Sequence, residues 1–210
     1  MPPIPPVTKN FMLACMMALC LGLLLPVARW FALWPIGSGL FWPWQLVSYA
    51  FLHADLGHLL FNMLGLWMFG AELERLWGPR RYQHFLLVSA LSAGVAQLLV
   101  APLLCAFAPT VGASGILFGL LMAYALSFPH RQFDLVGFLP MVLMMLPGQI
   151  FQLLGMVLFF VLMTNRQAVP IPPLPLKSMA MVALYGGLEL LQGLFLRGSV
   201  AHFAHLGGML

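Results

Sequence analysis

Long apolar runs constrain this sequence more than any other feature. Of its 210 residues, 62% are hydrophobic and only 7% are charged, with a mean hydropathy of +0.99, so polar side chains are too few to cover a soluble globule. Several runs approach the roughly 20 residues that a helix needs to cross a bilayer, whereas a membrane β-barrel would show alternating segments of about 10 residues. We therefore predict an all-α polytopic membrane protein.

The predicted organisation is an N-terminal lead over residues 1–10 and one membrane domain over residues 11–210. The aromatic segment from Arg29 to about Leu56 is broken by prolines and glycines, and we predict that it forms a long loop at the membrane interface. The predicted spans are 11–27, 58–77, 85–104, 112–128, 177–196 and a sixth beginning at Ser199. Because a helix from Ser199 to Leu210 is only about 18 Å long, we expect the sixth helix to be truncated or completed by something else.

Ser114 stands between glycines at the start of an apolar run, in the order Gly112, Ala113, Ser114, Gly115. One interpretation is a packing seam, because Gly115 and Gly119 are four residues apart and small residues let membrane helices approach closely. The other is a nucleophile, because the glycines expose the hydroxyl and free backbone N–H groups at a helix N-terminus, where an oxyanion is stabilised.

A base for such a serine is available near the end of the chain. Histidine has the intrinsic pKa to accept a hydroxyl proton, and His205 precedes Gly208, which permits close helix contact. His202, three residues earlier, leaves open a metal site or an interfacial pair. No acid stands clearly behind His205, so we predict a dyad in which Phe118 stacks on the imidazole in place of an acid. We assign no chemistry to Glu189.

A second polar pair lies on the second predicted span. His58 and Asn62 are four residues apart and share one helix face. They form either a polar packing knot or a pair of side-chain donors to an oxyanion, a role in which losing one donor typically costs 10² to 10³ in rate. We predict that Glu72 and Glu74, further along this span, have a structural role.

Basic residues predict the orientation. The nine Lys and Arg give a net charge of +4 but are scattered singly or in pairs, which argues against nucleic-acid binding. If Lys9 is cytoplasmic, alternation leaves only Arg29 and Arg197 on the opposite side, as the positive-inside rule requires. Ser114 and His205 then enter the membrane from the same non-cytoplasmic face.

This orientation depends on an atypical apolar insertion over residues 135–163. A single crossing there would carry His205 to the wrong face. Prolines and a glycine interrupt the insertion, and basic residues flank both its ends. We therefore predict a re-entrant or interfacial helical hairpin rather than a seventh span.

Together these motifs resemble the rhomboid family of intramembrane serine proteases. The resemblance rests on HLLFN at 58–62, WMFGAELERLWG at 67–78, GASG at 112–115 and AHFAHLGG at 201–208. The motifs occur in the family's order, and the similarity covers about residues 42–128 and 177–210.

The resemblance implies a six-helix bundle that cleaves peptide bonds in or near transmembrane segments of membrane proteins, without a metal or cofactor. Carried over position by position, Ser114 is the nucleophile and His205 the general base. His58 and Asn62 match the oxyanion-stabilising pair, joined by the Ser114 backbone N–H. The positions expected to support them are Gly112, Gly115, Phe118 and Gly208.

The expected partners are transmembrane protein substrates and the lipid bilayer, and the expected location is a bacterial inner membrane with the N-terminus in the cytoplasm. Two other functional classes remain open. A non-proteolytic relative that binds transmembrane clients would be expected to lack the serine or the histidine. A metal or solute transporter would use His53, His58, His202 and His205, but only Asp55 offers a carboxylate near their depth.

Overall fold

The computed structural model describes residues 3–100, 103, 108–146, 148–195 and 201–210, and these are mostly helical. Two three-residue strands, β1 (Gln132–Asp134) and β2 (Pro175–Lys177), pair antiparallel. The α-helices are α1 Pro6–Leu24, α2 Val27–Phe31, α3 Gln45–Ser48, α4 Leu56–Gly65, α5 Ala71–Trp77, α6 Pro79–Val100, α7 Ser114–Ser127, α8 Leu135–Met145, α9 Gln149–Thr164, α10 Ser178–Phe195 and α11 His202–Gly208.

Among the described residues, four helical stretches are long and apolar enough to cross a membrane. They are α1, the stretch Leu56–Trp77, α6 and α10. A short π-helical segment, Leu66–Gly70, joins α4 to α5 and makes the second of these stretches continuous. The predicted polytopic all-α class is confirmed, with a two-stranded sheet that the sequence did not predict. Ser199, where we placed the start of the sixth span, lies outside the described residues.

The described chain divides into two compact units, one of residues 1–124 and 189–210 and the other of residues 125–188. In the first, which we call the site unit, α1 is fastened to the end of α5. Glu74 is 2% exposed and accepts hydrogen bonds from the backbone N–H of Val7 and from both the N–H and the hydroxyl of Thr8. This contact caps the N-terminus of α1 and confirms a structural role for Glu74.

The interfacial loop of the site unit is organised by one buried amide. Gln45 is fully buried, accepts a hydrogen bond from the N–H of Trp34, and donates to the carbonyls of Trp30 and Leu40. Trp30 is 53% exposed, as expected for an aromatic ring at a membrane interface. The loop is also tied to the segment before α7 by two backbone hydrogen bonds between Leu33 and Thr110, of 3.0 and 2.9 Å.

The second unit, which we call the hairpin unit, contains the insertion. The helices α8 and α9 pack antiparallel, with Gly155 against the carbonyl of Pro140 near the middle of α8. At the base of the hairpin, where α8 begins and α9 ends, Arg166 donates to Asp134 at 2.9 Å. The strands β1 and β2 pair beside this contact. The insertion folds as a helical hairpin whose two ends meet at one base. Its re-entrant or interfacial placement stays a prediction.

Candidate active site

The structure brings Ser114 and His205 together although 91 residues separate them in the chain. Ser114 is the first residue of α7, and His205 lies in α11. The Ser114 Oγ and the His205 Nε2 are 2.7 Å apart with hydrogen-bond geometry. A hydroxyl held at this distance from an imidazole nitrogen is the arrangement that activates a serine nucleophile.

A seam of glycines makes this approach possible. A Cβ added to Gly208 in α11 would overlap the carbonyl group of Gly115 in α7, and one added to Gly119 would meet the carbonyl of Gly208. Two hydroxyls of α6 also hold α11: that of Ser89 donates to the Gly208 carbonyl at 3.0 Å, and that of Ser92 to the Gly207 carbonyl at 2.6 Å. The packing seam considered for these glycines is present, and it is what places His205 against Ser114.

The backbone before Ser114 is shaped by Gly112. Its φ is +126°, a conformation that L side chains rarely adopt, and its N–H donates to the Tyr49 carbonyl at 3.0 Å. A Cβ at Gly112 would lie 2.8 Å from the Cε1 and Nε2 of His58 and 3.5 Å from the Ser114 Oγ. The absence of a side chain at Gly112 therefore lets the His58 ring lie beside the serine.

Asn62 is buried one turn from His58, and its predicted role as an oxyanion donor stays a prediction. Its side chain is 2% exposed, and its Nδ2 donates to the backbone carbonyl of His58 at 3.1 Å. This bond anchors the amide one turn along α4 from His58.

Phe118 makes the contact predicted for it. Its ring and that of His205 are 4.6 Å apart between centroids, with an angle of 5° between their planes. This stacking fixes the plane of the imidazole.

Phe118 does not stand in place of an acid, because an acid is present. Glu189 of α10 is fully buried, and its Oε1 lies 2.8 Å from the His205 Nδ1 while its Oε2 lies 2.6 Å from the His202 Nδ1. The prediction that no acid stands behind His205 is wrong, because the Glu189 carboxylate lies at ion-pair distance from its Nδ1. The reason is that α10 and α11 pack side by side, so residues 16 apart in sequence meet.

Glu189, His202 and His205 are also a set that could hold a metal ion, since one ligand atom from each lies within 4.8 Å of the others. Two ligands bound tetrahedrally to one zinc, each at about 2.0–2.1 Å, stand about 3.3 Å apart. The observed contacts of 2.6 and 2.8 Å are shorter and match charge-assisted hydrogen bonds or ion pairs. This arrangement fits a carboxylate shared by two imidazoles better than a metal centre.

His53 lies in the loop beside His58, with ring centroids 5.0 Å apart. Burial first, and the neighbouring His58 second, lower the pKa of His53 to about 4, against smaller opposing effects from the Phe51 carbonyl and Asp55. His53 is therefore neutral at pH 7. Its Nδ1 lies 3.3 Å from the Phe51 carbonyl, a contact within the loop.

The family model described as the Rhomboid domain matches residues 41–148, slightly more than half of the chain. The chain belongs to the rhomboid family. The matched segment of this rhomboid contains the last part of the interfacial loop, from residue 41, together with His58, Asn62 and Ser114. It ends before Glu189 and His205.

Curated relatives carry the same family name. The chain is 35% identical to Rhomboid protein 1, mitochondrial, of Saccharomyces cerevisiae over 96 residues, which are 45% of this chain and 28% of that protein. It is 35% identical to rhomboid protease GluP of Bacillus subtilis over 80 residues, 38% of this chain and 15% of that protein. It is 34% identical to rhomboid protease GlpG of Yersinia pestis over 96 residues, 44% of this chain and 34% of that protein. The chain thus spans about a third or less of the length of these relatives.

In this rhomboid, Glu189 is the site residue that sequence reasoning missed. It belongs to none of the motifs that carry the resemblance. The available signal was its position as a carboxylate within an apolar span, where an ionisable group needs a partner or a function.

Proposed function

We propose that this chain is an intramembrane serine protease that cleaves peptide bonds in or near transmembrane segments of other membrane proteins. The observation that carries the proposal is the 2.7 Å contact between the Ser114 Oγ and the His205 Nε2 in the interior of a membrane protein. Membership of the rhomboid family supports it, because relatives over this segment are named rhomboid proteases.

The chemistry follows from the two side chains. The Ser114 Oγ attacks the carbonyl carbon of the substrate peptide, and its proton passes to the His205 Nε2. The tetrahedral intermediate collapses, and the proton leaves with the amine of the product. Water then repeats these steps on the acyl-enzyme, with His205 again as base, and returns the serine to its starting state.

The oxyanion of the tetrahedral intermediate would be stabilised on the side of Ser114 that faces His58. The Ser114 N–H is at the N-terminus of α7, where backbone N–H groups have no partner within the helix and the helix dipole favours negative charge. The His58 ring lies beside Gly112, next to the serine, and can supply a side-chain donor. Asn62, one turn further, is the second side-chain donor of the proposal.

The length of α7 supports a site below the membrane surface. Its 14 residues extend about 21 Å, against a hydrocarbon core of about 30 Å. If the C-terminal end of α7 lies at one boundary of the hydrocarbon core, Ser114 lies about 9 Å inside the opposite boundary. A nucleophile at this depth suits a peptide bond that belongs to a transmembrane segment or lies close to one.

We also propose that the protein resides in a bacterial inner membrane with its N-terminus in the cytoplasm. The hairpin of α8 and α9 begins and ends at one base, at the contact of Asp134 with Arg166, which supports an even number of passages through the insertion. A tag inserted at Asn165 should be reached only from the cytoplasmic side. Access only from outside would contradict this orientation.

A fluorophosphonate probe, which reacts with activated serines, tests the proposed nucleophile in the detergent-solubilised chain. Labelling should be lost in Ser114→Ala and reduced by about 10³-fold or more in His205→Ala. Ser127→Ala, at the other end of α7, and His84→Ala, an exposed histidine of α6, are matched controls that should label normally. Labelling that persists in Ser114→Ala would rule out the assignment.

A further inference from the structure

Glu189 is a buried carboxylate with two imidazoles as partners. It is fully buried, and its two oxygens approach two different histidines, Oε2 the His202 Nδ1 at 2.6 Å and Oε1 the His205 Nδ1 at 2.8 Å. A carboxylate removed from water is costly unless each oxygen finds a donor. The two histidines that approach these oxygens come from the same short helix, α11.

The two contacts differ in alignment. The His202 contact has hydrogen-bond geometry, whereas the His205 contact is at ion-pair distance without that alignment. Among the described residues, neither the Glu189 Oε1 nor the His205 Nδ1 has a hydrogen-bond partner, so each is available to the other. Catalytic hydrogen bonds are often poorly aligned in the free enzyme and tighten when the substrate binds. His202 thus anchors the carboxylate, and the Oε1 remains for His205.

This arrangement selects one tautomer of His205. A carboxylate only accepts hydrogen bonds, so the proton of the neutral His205 imidazole belongs on Nδ1. The Nε2 is then an acceptor, and it is the atom that faces the Ser114 Oγ at 2.7 Å. Phe118 fixes the plane of the ring by stacking on it, while Glu189 fixes which nitrogen carries the proton.

We propose that Glu189, held in place by His202, is a positioning residue that keeps His205 in the Nδ1–H tautomer and stabilises its imidazolium form. When the Ser114 Oγ bonds to the substrate carbon, its proton moves to the His205 Nε2 and the imidazole becomes positive. Glu189 remains ionised throughout and opposes that charge from the other side of the ring. The serine and histidine thereby act with an acid behind them. This proposal rests on the proposed protease function.

The experiment combines kinetics with nitrogen NMR on the full chain in detergent. In Glu189→Gln the amide group can accept from only one imidazole, so at least one of the two contacts is lost. We expect kcat for a transmembrane substrate to fall about 10²- to 10³-fold while KM stays within about 2-fold, because an interaction that matters in the transition state is removed. The side-chain ¹⁵N shifts of wild-type His205 should report a proton on Nδ1.

Glu74→Gln is the matched control. It makes the same substitution at another buried carboxylate of the site unit, one that binds Val7 and Thr8 of α1. Thermal unfolding should occur at a lower temperature in Glu74→Gln, with kcat unchanged below that temperature. A drop in kcat caused only by weakened folding would appear equally in both variants.

The outcomes separate this proposal from the protease function. If Ser114→Ala abolishes cleavage but Glu189→Gln keeps kcat within about 3-fold, the positioning role is wrong and the protease function stands. If Ser114→Ala still cleaves, the protease function itself fails. If Glu189→Gln does not fold, the ¹⁵N NMR spectrum of the wild type still tests the proposal. A proton on the Nε2 of neutral His205 would overturn it.

Discussion

The site unit and the hairpin unit both use a glycine to bring two helices together, yet they place charged groups differently. Gly208 packs on the backbone of Gly115, and Gly155 packs on that of Pro140. In the site unit the charged network lies in the interior, centred on the fully buried Glu189. In the hairpin unit the ion pair of Asp134 is at the base, with its side chain 28% exposed.

The comparison separates two uses of close packing. In the hairpin unit, close contact joins two apolar helices and leaves the charged pair near water, where it makes a small contribution to stability. In the site unit, close contact brings α11 against α7 and so sets the distance between the two reactive side chains. Small residues are therefore a packing device in both units, and only in the site unit do they determine a reactive geometry.

Replacing Gly208 by alanine should have the largest effect. The added methyl group would overlap the carbonyl of Gly115, which is backbone and cannot rotate away, so α11 must move. We expect a loss of about 3 kcal/mol of stability. A displacement of about 1 Å between nucleophile and base can also cost 10² in rate, so fluorophosphonate labelling should fall at least 10²-fold at a temperature where the variant is folded.

Gly155→Ala makes the same change in the hairpin unit, where the methyl group would lie 2.8 Å from the Pro140 carbonyl. It should lower stability by about 1–3 kcal/mol and leave the labelling of Ser114 unchanged. Gly187→Ala, where a Cβ would meet nothing within 4 Å, should change neither the stability nor the labelling of Ser114. If Gly155→Ala reduced labelling as strongly as Gly208→Ala, the distinction between the two units would fail.

Lowering the pH should have a smaller effect on stability, through the protonation of His53. Its pKa in the folded protein is about 4, below the ordinary value of 6.5, so between these values the unfolded chain binds a proton that the folded chain does not. Stability should therefore fall as the pH drops from 6.5 to 4. At pH 5 the loss attributable to His53 is about 2 kcal/mol.

Thermal unfolding in detergent at pH 7 and pH 5 measures this loss. The decrease between the two pH values should be smaller in His53→Gln than in the wild type by about the amount given above. His130→Gln, which replaces an exposed histidine of the hairpin unit, should keep the wild-type decrease. An unchanged decrease in His53→Gln would contradict the burial of a neutral His53.

Local patterns predicted the parts of the site that depend on helix periodicity. Ser114 and Phe118 are four residues apart in one helix, so their shared face and the stacking on His205 follow from spacing. Hydropathy predicted the four spans found among the described residues, whereas α7, at the predicted fourth span, is a shorter apolar helix. The hairpin followed from prolines and glycine within an apolar insertion. The boundary of α1 was less predictable, since it begins at Pro6 within the predicted lead.

Contacts between distant segments could not be predicted in the same way. The meeting of Glu189 with His205 depends on how α10 packs against α11, and no periodicity in either helix reports it. The strands β1 and β2 are three residues long and lie on either side of the insertion, so neither has a recognisable pattern by itself. The bridge between Leu33 and Thr110 likewise joins two irregular segments.

Cleavage of a transmembrane substrate in liposomes tests the central claim most directly. The wild-type chain and Ser114→Ala would be purified, checked for equal thermal unfolding temperatures, and reconstituted separately with the same single-span substrate. The account predicts cleavage in or near the membrane segment by the wild type and none by Ser114→Ala. Cleavage by Ser114→Ala at the wild-type rate would contradict it.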